Sequence, residues 1–310
     1  MIRPDLEGVK STLEDYPFPV DLIIEVTRYC NLRCIMCPYP NLKRAQGNME
    51  FSTFQKIIDE TALENPAARV WLAIMGEPLL RSEKVVEFIR YAKEKGIREV
   101  CLNTNAVLLT EIIAKQLLES GLDKILISID ACSKETYNKI RIGGNFDLVC
   151  ENVERLLEMK RENNNTHLEL ITQFIIMDEN EHEVESFKNY WLERGAIAKI
   201  RPKLGWGNAI QSSVLDSIAQ ETERFPCAWL TRTVSIHWDG SFSQCDADVE
   251  GYHSPGHLNN NTIKEVWEGI LADRRRRHWR GEYDFEPCNT CKDWLAGRSY
   301  FFYPKNTGNL

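Results

Sequence analysis

The feature that most constrains the fold is a regular alternation of apolar, strand-like segments with amphipathic, helix-like segments. Six short apolar runs recur between residues 21 and 200, and most are followed by apolar residues at the three- and four-residue spacing of a helix. The predicted strands are 21–27, 69–75, 98–102, 124–129, 167–176 and 196–200, and the predicted helices are 51–62, 82–95, 110–120, 146–161 and 181–194. This alternation predicts an α/β fold of parallel units with right-handed crossovers. It leaves open whether the sheet is flat or curls into a partial barrel.

The overall composition narrows the class of protein. The 310 residues carry a net charge of −8, which argues against bulk binding of nucleic acid. No apolar run approaches the roughly 20 residues that a membrane-spanning helix needs, and the first residues do not resemble a secretory signal. Ten cysteines without such a signal point to metal ligands rather than disulfides. We therefore expect a cytoplasmic protein with neither a membrane nor a nucleic-acid partner.

Three cysteines directly follow the first predicted strand. Cys30, Cys34 and Cys37 have the spacing C-x3-C-x2-C. On a loop at the carboxyl end of a strand they lie where open α/β folds place their ligands. Three thiolates can hold three irons of a [4Fe–4S] cluster, whereas four would complete it. The fourth iron would remain open to a substrate or cofactor, which favours catalysis. A zinc site is the less favoured interpretation.

Polar residues follow the next strands at the same predicted edge. Gly76-Glu77-Pro78 follows the second strand, Asn103-Thr104-Asn105 the third, and Ser128 and Asp130 close the fourth. A glycine allows close approach of the backbone to a ligand, and a glutamate could accept hydrogen bonds from a bound ammonium group. The co-location of these segments after strand ends predicts one functional rim.

The chain beyond the sixth strand has a different pattern. We predict an N-terminal extension over 1–20, a main domain over 21–203, a linker over 204–226 and a second domain over 227–310. In the last part, Asp239-Gly240 separates two strand-like runs and indicates a hairpin. Thr262 then precedes a helix predicted to run from Ile263 to Trp279.

Four further cysteines lie in this second domain: Cys227, Cys245, Cys288 and Cys291. The C-x2-C pair together with two cysteines around the hairpin makes a four-thiolate site. Spacing alone does not decide between zinc and an iron–sulfur cluster.

Taken together, these motifs resemble those of the radical S-adenosylmethionine (SAM) enzymes. The resemblance covers roughly residues 20–200, with Met75-Gly76-Glu77-Pro78 in place of the family's usual Gly-Gly-Glu-Pro. It implies a partial (β/α)6 barrel whose [4Fe–4S] cluster binds SAM, cleaves it reductively and yields a 5′-deoxyadenosyl radical. It also implies a reductant of flavodoxin or ferredoxin type. The later cysteines resemble twitch, a short relative of the SPASM domain, and imply one auxiliary [4Fe–4S] cluster.

The resemblance also assigns expected roles to single residues. Those implied to contact SAM are Tyr39, Gly76, Glu77, Pro78, Asn103, Asn105, Ser128, Asp130 and Arg141. The cysteines implied to bind iron are Cys30, Cys34 and Cys37 for the first cluster and Cys227, Cys245, Cys288 and Cys291 for the auxiliary one.

The leading functional hypothesis is a dehydrogenase of a small sugar, polyol or aminocyclitol. In the resembling enzymes the auxiliary cluster removes an electron from the substrate radical, and a base takes the hydroxyl proton. Arg201, at the end of the sixth strand, is the candidate for that role by position. Asp246, Asp248 and His237 are weaker candidates because such residues near a hairpin usually satisfy the backbone.

Several alternatives remain open. An epimerase would need a thiol that returns hydrogen, and Cys132 on the rim is a better donor than Cys101 or Cys150, which we expect to pack in the core. A peptide-modifying enzyme is less favoured, because residues 1–20 are too short for a peptide-binding domain. The family's molybdenum-cofactor cyclase is disfavoured by the ending Thr307-Gly-Asn-Leu310 in place of Gly-Gly. A non-catalytic iron–sulfur or zinc protein would leave the SAM motifs unexplained.

An arginine run, Arg274 to Arg277, lies on the last predicted helix. Its simplest interpretation is a solvated helix face. Recognition of a substrate phosphate or nucleotide diphosphate is the sharper alternative.

Overall fold

The computed structural model describes residues 6–296, and its framework is one eight-stranded sheet. Six strands adjoin in chain order and are parallel, and a seventh pairs in parallel with the first. The strands are β1 (Asp21–Ile24), β2 (Arg69–Leu72), β3 (Glu99–Thr104), β4 (Lys124–Ser128), β5 (Glu169–Ile176), β6 (Ile197–Pro202), β7 (Thr233–Ile236) and β8 (Phe242–Ser243). The order across the sheet is β6-β5-β4-β3-β2-β1-β7-β8, with β8 antiparallel to β7.

Helices follow the strands as the alternation predicts. They are α1 (Leu6–Lys10), α2 (Phe51–Glu64), α3 (Ser82–Glu94), α4 (Glu111–Leu118), α5 (Lys134–Ile140), α6 (Phe146–Glu162), α7 (Val184–Glu193), α8 (Ser213–Glu221), α9 (Ala228–Arg232), α10 (Ile263–Glu268) and α11 (Ile270–Trp279). None of the helices in the described part of the chain has both the length and the apolarity required to cross a bilayer.

The sheet has a large apolar core on its helix-covered face and a smaller one on its inner face. The third residues of β1 to β5 meet in the inner core: Ile23, Trp71, Cys101, Leu126 and Ile171. Side chains from five adjacent strands converge in this one cluster, so the sheet is curled. The prediction of a partial (β/α)6 barrel is confirmed.

An ion-pair network closes the amino-terminal end of the barrel. Arg69 lies 2.7 Å from Asp21 and 3.9 Å from Glu99, and Lys124 contacts both Glu99 and Glu169. These side chains come from the first residues of β1 to β5. With this end occupied by paired charges, the opposite rim is the open side of the barrel.

Most predicted helix starts are correct in the structure. The side chains of Thr110 and Thr262 accept hydrogen bonds from the third helical N–H, and Thr262 forms a capping box with Glu265. Two predictions were wrong. The sequence predicts Ser52 as the N-cap of the helix after the cysteine loop, but Ser52 lies inside α2, which begins after Glu50. The single helix predicted over 263–279 is broken at Gly269.

The C-terminal part of the chain is built onto the barrel. β7 joins the sheet beside β1, and α8 lies within the segment predicted as a linker. The proposed division at 203/204 and 226/227 stays a prediction. Residues 1–5 of the proposed extension and residues 297–310, which include the Thr307 to Leu310 ending, lie outside the described part.

Candidate active site

Strained backbone marks the carboxyl-terminal rim of the barrel. Five residues other than glycine have positive φ in the loops there: Ile74 (84°) after β2, Ala106 (57°) after β3, Asp130 (62°) after β4, and Trp206 (51°) and Asn208 (74°) after β6. Left-handed conformations are costly for residues with a Cβ atom, most of all for β-branched ones, and they concentrate at functional sites. Their location agrees with the rim predicted from the sequence.

The loop that carries Cys30, Cys34 and Cys37 lies against the segment after β2. Gly76 has φ of 108°, and a Cβ atom there would lie 2.1 Å from the carbonyl oxygen of Thr27. The N–H of Glu77 donates to the carbonyl of Tyr29 at 2.8 Å. A glycine is therefore needed at position 76, because only a residue without a Cβ atom can pack this closely against the backbone before Cys30. Gly76 also lines the cavity.

The three thiols line a single open cavity at this rim. Burial is the main reason why the pKa of the Cys30 thiol rises to about 11 and that of Cys37 to about 12, and it raises the pKa of Cys34 as well. Thiolates in this environment require a cation, which a bound metal would supply. Tyr39 packs beside them, and its hydroxyl accepts a hydrogen bond from the N–H of Cys30 at 3.0 Å.

Glu77 is the carboxylate of this cavity, and it is 2% exposed. It accepts hydrogen bonds from Thr104 Oγ1 at 2.6 Å and from the N–H groups of Asn105 at 2.7 Å and Leu79 at 3.0 Å. Burial raises its pKa, and these three donors oppose that rise. Together they fix the carboxylate at the cavity wall. Pro78, by contrast, begins a short 3₁₀ turn and is not among the lining residues.

Arg141 and Asp130 form a buried ion pair next to the cysteines. The guanidinium Nε donates to Asp130 at 2.8 Å, and its Nη1 lies 3.7 Å from Cys34 Sγ. Burial opposes the charge of Arg141, but Asp130 and Cys34 outweigh it and raise the arginine's pKa. Asp130 also accepts from the N–H of Ile175 at 2.7 Å, so its role is to hold Arg141 and β5. Asp130 does not itself line the cavity.

The rest of the cavity wall is polar. Asn103, Asn105, Ser128 and Arg201 line it, together with Gln173, which the sequence patterns did not indicate. Within residues 6–296, Asn103 Oδ1 and Gln173 Oε1 are buried acceptors with no hydrogen-bond partner. Buried acceptors of this kind are normally satisfied, so this wall is suited to a ligand with hydroxyl or amino donors. Gln173 could have been found as the one amide in the apolar run 168–176.

Other side chains missed by the sequence analysis complete the wall: Leu32, Met36, Ile74, Thr104, Ile175 and Trp206. Only Thr104 had a signal, because it lies within the predicted Asn103-Thr104-Asn105 segment.

Cys132, the predicted hydrogen donor for an epimerase, is not among the lining residues. It packs against the helix-side core, and its N–H donates to the Glu183 carboxylate at 2.5 Å. Cys101 lies in the inner barrel core, and Cys150 packs on the helix side. The structure thus places none of these three thiols at the cavity.

The weaker proton-acceptor candidates also lie elsewhere. Asp246 accepts from Ser235, and Asp248 accepts from the N–H groups of Gln244 and His253. His237 is buried, which lowers its pKa to about 3. The two aspartates stabilise the turns around β7 and β8, which agrees with the expectation that such residues near a hairpin satisfy the backbone.

A second, buried cavity is lined by all four later cysteines, Cys227, Cys245, Cys288 and Cys291. Burial raises the pKa of the Cys227 thiol to about 11 and of Cys288 to about 12. Two N–H groups point at these sulfurs: the side-chain amide of Gln244 lies 3.5 Å from Cys288, and the backbone of Asp293 lies 3.4 Å from Cys291. Four thiols in an enclosed space with N–H donors to sulfur fit a cluster with no open iron.

Within residues 6–296, no three His, Cys, Asp or Glu side chains converge on one point as the ligands of a single metal ion do. The thiols instead lie around the walls of the two cavities. The first cavity fits a three-thiolate cluster together with SAM, because it combines the thiols with a fixed carboxylate and unpaired acceptors.

The profile of the radical SAM superfamily matches residues 24–190, and the profile of SPASM, an iron–sulfur cluster-binding domain, matches residues 227–292. A protein of Methanococcus maripaludis named probable GTP 3′,8-cyclase is 31% identical over 178 residues. These residues are 57% of this chain and 56% of that protein, so the chain spans little more than half of the curated relative's length.

Two solved structures share the fold. BtrN in complex with AdoMet and 2-DOIA superposes with a TM-score of 0.63 at 16% identity, covering 90% of this chain and 94% of that one. Streptococcus suis SuiB bound to the precursor peptide SuiA gives a TM-score of 0.68 at 15% identity, covering 93% and 73%.

Proposed function

Because the chain belongs to the radical SAM superfamily and carries a SPASM-type domain, we propose that it oxidises an alcohol carbon of a small sugar, polyol or aminocyclitol. The observation that carries this proposal is the pairing of two cysteine cavities. One has three thiols beside a polar wall with unpaired acceptors, and the other has four thiols and no wall for a substrate. The two sites suit two different tasks, radical formation and electron acceptance.

The polarity of the first cavity supports a small substrate that carries hydroxyl or amino groups. Asn103 and Gln173 supply acceptors for hydroxyl or amino hydrogens, and Arg201 supplies donors. The fold is shared with BtrN, which was solved in complex with 2-DOIA, and this supports the same class of ligand here.

When bound, SAM and the two clusters would supply two things: a 5′-deoxyadenosyl radical, which removes a hydrogen atom from the substrate, and an acceptor for the electron that the resulting substrate radical loses. The substrate thereby loses a hydrogen atom, a hydroxyl proton and an electron, which converts a carbinol into a ketone. Cys30, Cys34 and Cys37 would hold the first cluster, with Glu77 accepting from SAM's ammonium group. Cys227, Cys245, Cys288 and Cys291 would hold the auxiliary cluster.

Arg201 has a role in orientation in this proposal. An arginine remains protonated in proteins, so it donates hydrogen bonds and does not take up a proton. We assign to it the binding of the substrate hydroxyl group, where its positive charge favours loss of the hydroxyl proton. The proton then leaves to solvent or to a group on the substrate.

Two other functions are supported by particular observations. The curated relatives named GTP 3′,8-cyclase favour a cyclase acting on a purine nucleotide, and SuiB, bound to its precursor peptide, favours peptide modification. For an epimerase, Cys132 would have to reach the cavity, from which the structure separates it.

Cysteine variants test the assignment of the two sites. Anaerobic reconstitution should give about eight irons and eight sulfides per chain, two [4Fe–4S] sets. The triple change of Cys30, Cys34 and Cys37 to Ala should abolish reductive SAM cleavage, whereas Cys288→Ala should preserve it. Four irons in the native chain, or cleavage that survives the triple change, would refute the assignment.

Product analysis tests the reaction. Sugars, polyols, aminocyclitols, GTP and a test peptide are each assayed for stimulation of 5′-deoxyadenosine formation. A dehydrogenase should consume one SAM per ketone without solvent deuterium entering carbon. Deuterium at carbon would indicate an epimerase, and stimulation by GTP alone would indicate the cyclase.

A further inference from the structure

A polar pocket distinct from both cysteine cavities adjoins the active-site cavity. Tyr39 lines both, so the two spaces share one wall. The pocket lies along the cysteine loop and the segment that leads from it to α2. Its charged and amide side chains are Arg28, Arg33, Lys43, Arg44 and Gln46.

Arg28 is a buried cation in this pocket. It is 2% exposed, and its Nε has no hydrogen-bond partner within residues 6–296. No carboxylate of the described chain forms an ion pair with it. Burial of a charge without a partner is costly, so the position of Arg28 favours binding of an anion in this pocket.

The carboxylates closest to the pocket are already engaged. Glu25 is paired with Arg44, whose Nη1 lies 2.8 Å from it. Glu250 accepts the backbone N–H groups of Lys43 at 2.7 Å and Arg44 at 2.9 Å. Both carboxylates attract the charge of Arg28, but neither forms an ion pair with it in the described part of the chain. The pocket keeps its cationic character because these two carboxylates face four cations, Arg28, Arg33, Lys43 and Arg44.

Two exposed cations complete the arrangement. Arg33 lies with its guanidinium 5.0 Å from the centre of the Tyr39 ring and donates from Nη1 to the carbonyls of Cys30 and Leu32. These bonds fix the guanidinium while leaving its other N–H groups free for a ligand. Lys43 forms no ion pair within the described residues.

We propose that this pocket binds an oxyanion, a phosphate or carboxylate group, between Arg28, Arg33 and Lys43. A guanidinium presents paired N–H donors that match such groups, and an ammonium adds a mobile charge. No cysteine is among the residues that line this pocket, and the proposal does not depend on the proposed dehydrogenase. Because it shares Tyr39 with the active-site cavity, its ligand is either a free ion or a phosphate group on a molecule that reaches the cavity.

The arginine run on α11 is less suited to this task. Arg274 donates to the carbonyl of His253, Arg275 is buried and donates to Trp267, and Arg277 is paired with Asp284. Only Arg276 is both exposed and weakly paired, 3.7 Å from Asp273. We therefore assign phosphate recognition to the pocket and not to this arginine run.

Calorimetric titration of the reconstituted full chain with inorganic phosphate, at ionic strength held constant with chloride, tests the proposal. We expect one saturable site. Arg28→Gln should weaken it at least tenfold, and Arg33→Gln and Lys43→Gln severalfold each. Arg276→Gln is the matched control and should bind phosphate as the native chain does. Absorbance of the clusters and circular dichroism show whether each variant is folded.

Should Arg28→Gln fail to fold, the two exposed variants decide the question. Absence of saturable binding, or native affinity in both Arg33→Gln and Lys43→Gln, overturns the proposal. Acetate and methyl phosphate, added as competitors, show whether carboxylate or phosphate is preferred. A sugar phosphate that competes more strongly than methyl phosphate identifies the ligand as part of a larger molecule. None of these readouts requires SAM cleavage, so failure of the proposed dehydrogenase leaves the test intact.

Discussion

Gln244 is fully buried beside the four-thiol site, with its side-chain N–H group directed at the sulfur of Cys288, 3.5 Å away. Arg224 lies on the same side and donates to the carbonyl of Cys288 at 2.6 Å. Hydrogen bonds to cluster sulfurs and nearby positive charges stabilise the reduced state, which carries more negative charge. Asp248 and Asp293, near Cys245 and Cys291, act in the opposite direction.

We expect Gln244→Leu to lower the midpoint potential of the auxiliary cluster. The leucine keeps most of the volume but removes the N–H group, so the reduced cluster loses a stabilising contact. Potentiometric titration followed by electron paramagnetic resonance measures the shift, and reductive SAM cleavage should persist. Gln220→Leu, an exposed position on α8, is the control. An unchanged potential in Gln244→Leu would show that the amide does not tune the site.

At the scale of elements, the loop after β6 connects the two cysteine sites. The buried carboxylate of Asp293, two residues after Cys291, accepts the N–H groups of Gly205 at 2.6 Å and Gly207 at 2.9 Å. Trp206 between them lines the active-site cavity, and its indole N–H donates to the carbonyl of Met36 at 3.2 Å. Asp293, which lines the four-cysteine cavity, therefore positions Trp206 in the wall of the active-site cavity.

Asp293→Asn should loosen this loop without removing a cysteine. An amide can accept only one of the two N–H groups and directs its own N–H at the other, at a cost of about 1–3 kcal/mol. Hydrogen exchange over residues 203–210 should accelerate by about 10- to 100-fold. Asp284→Asn, which changes a carboxylate bound to Arg277 elsewhere, should leave that exchange unaltered. Equal exchange in the two variants would contradict the positioning role.

Sequence patterns predicted the elements better than the directions of single side chains. The period of apolar residues located six strands and the rim, because buried faces repeat along each element. Cys132 shows the limit. It follows β4 closely, but Asp130 takes a left-handed conformation, so the alternation of strand faces does not continue and the thiol packs on the helix side. The contact of Asp293 with residues 205 and 207 spans more than 80 positions and has no local signal.

At the scale of the whole molecule, the C-terminal region supplies part of the barrel's own sheet. Residues 21–24 of β1 pair one by one with residues 233–236 of β7, and Arg232 lies 3.2 Å from the buried Asp21. The indole of Trp267 donates to the carbonyl of Tyr16 at 2.8 Å. The sequence pattern therefore changes after residue 203, but the hydrogen bonding of the sheet continues across that predicted boundary from β1 to β7.

Truncation tests whether residues before the predicted second domain fold independently. A chain of residues 1–226 would expose the edge of β1, leaving its N–H and C=O groups unpaired and the Asp21 network without Arg232. We expect it to aggregate or to unfold without a cooperative transition in calorimetry, whereas the full chain should unfold in one transition.

The double variant Cys288→Ala, Cys291→Ala separates two possible causes of that instability. It removes thiols of the auxiliary site but keeps β7 in the sheet. It should retain a single cooperative transition at a lower midpoint, because metal binding contributes to stability but the sheet remains closed by β7. The opposite result would be a 1–226 chain that unfolds cooperatively at the same midpoint temperature as the double variant. It would show that the barrel folds without β7 and that β7 contributes to stability only through the auxiliary cluster.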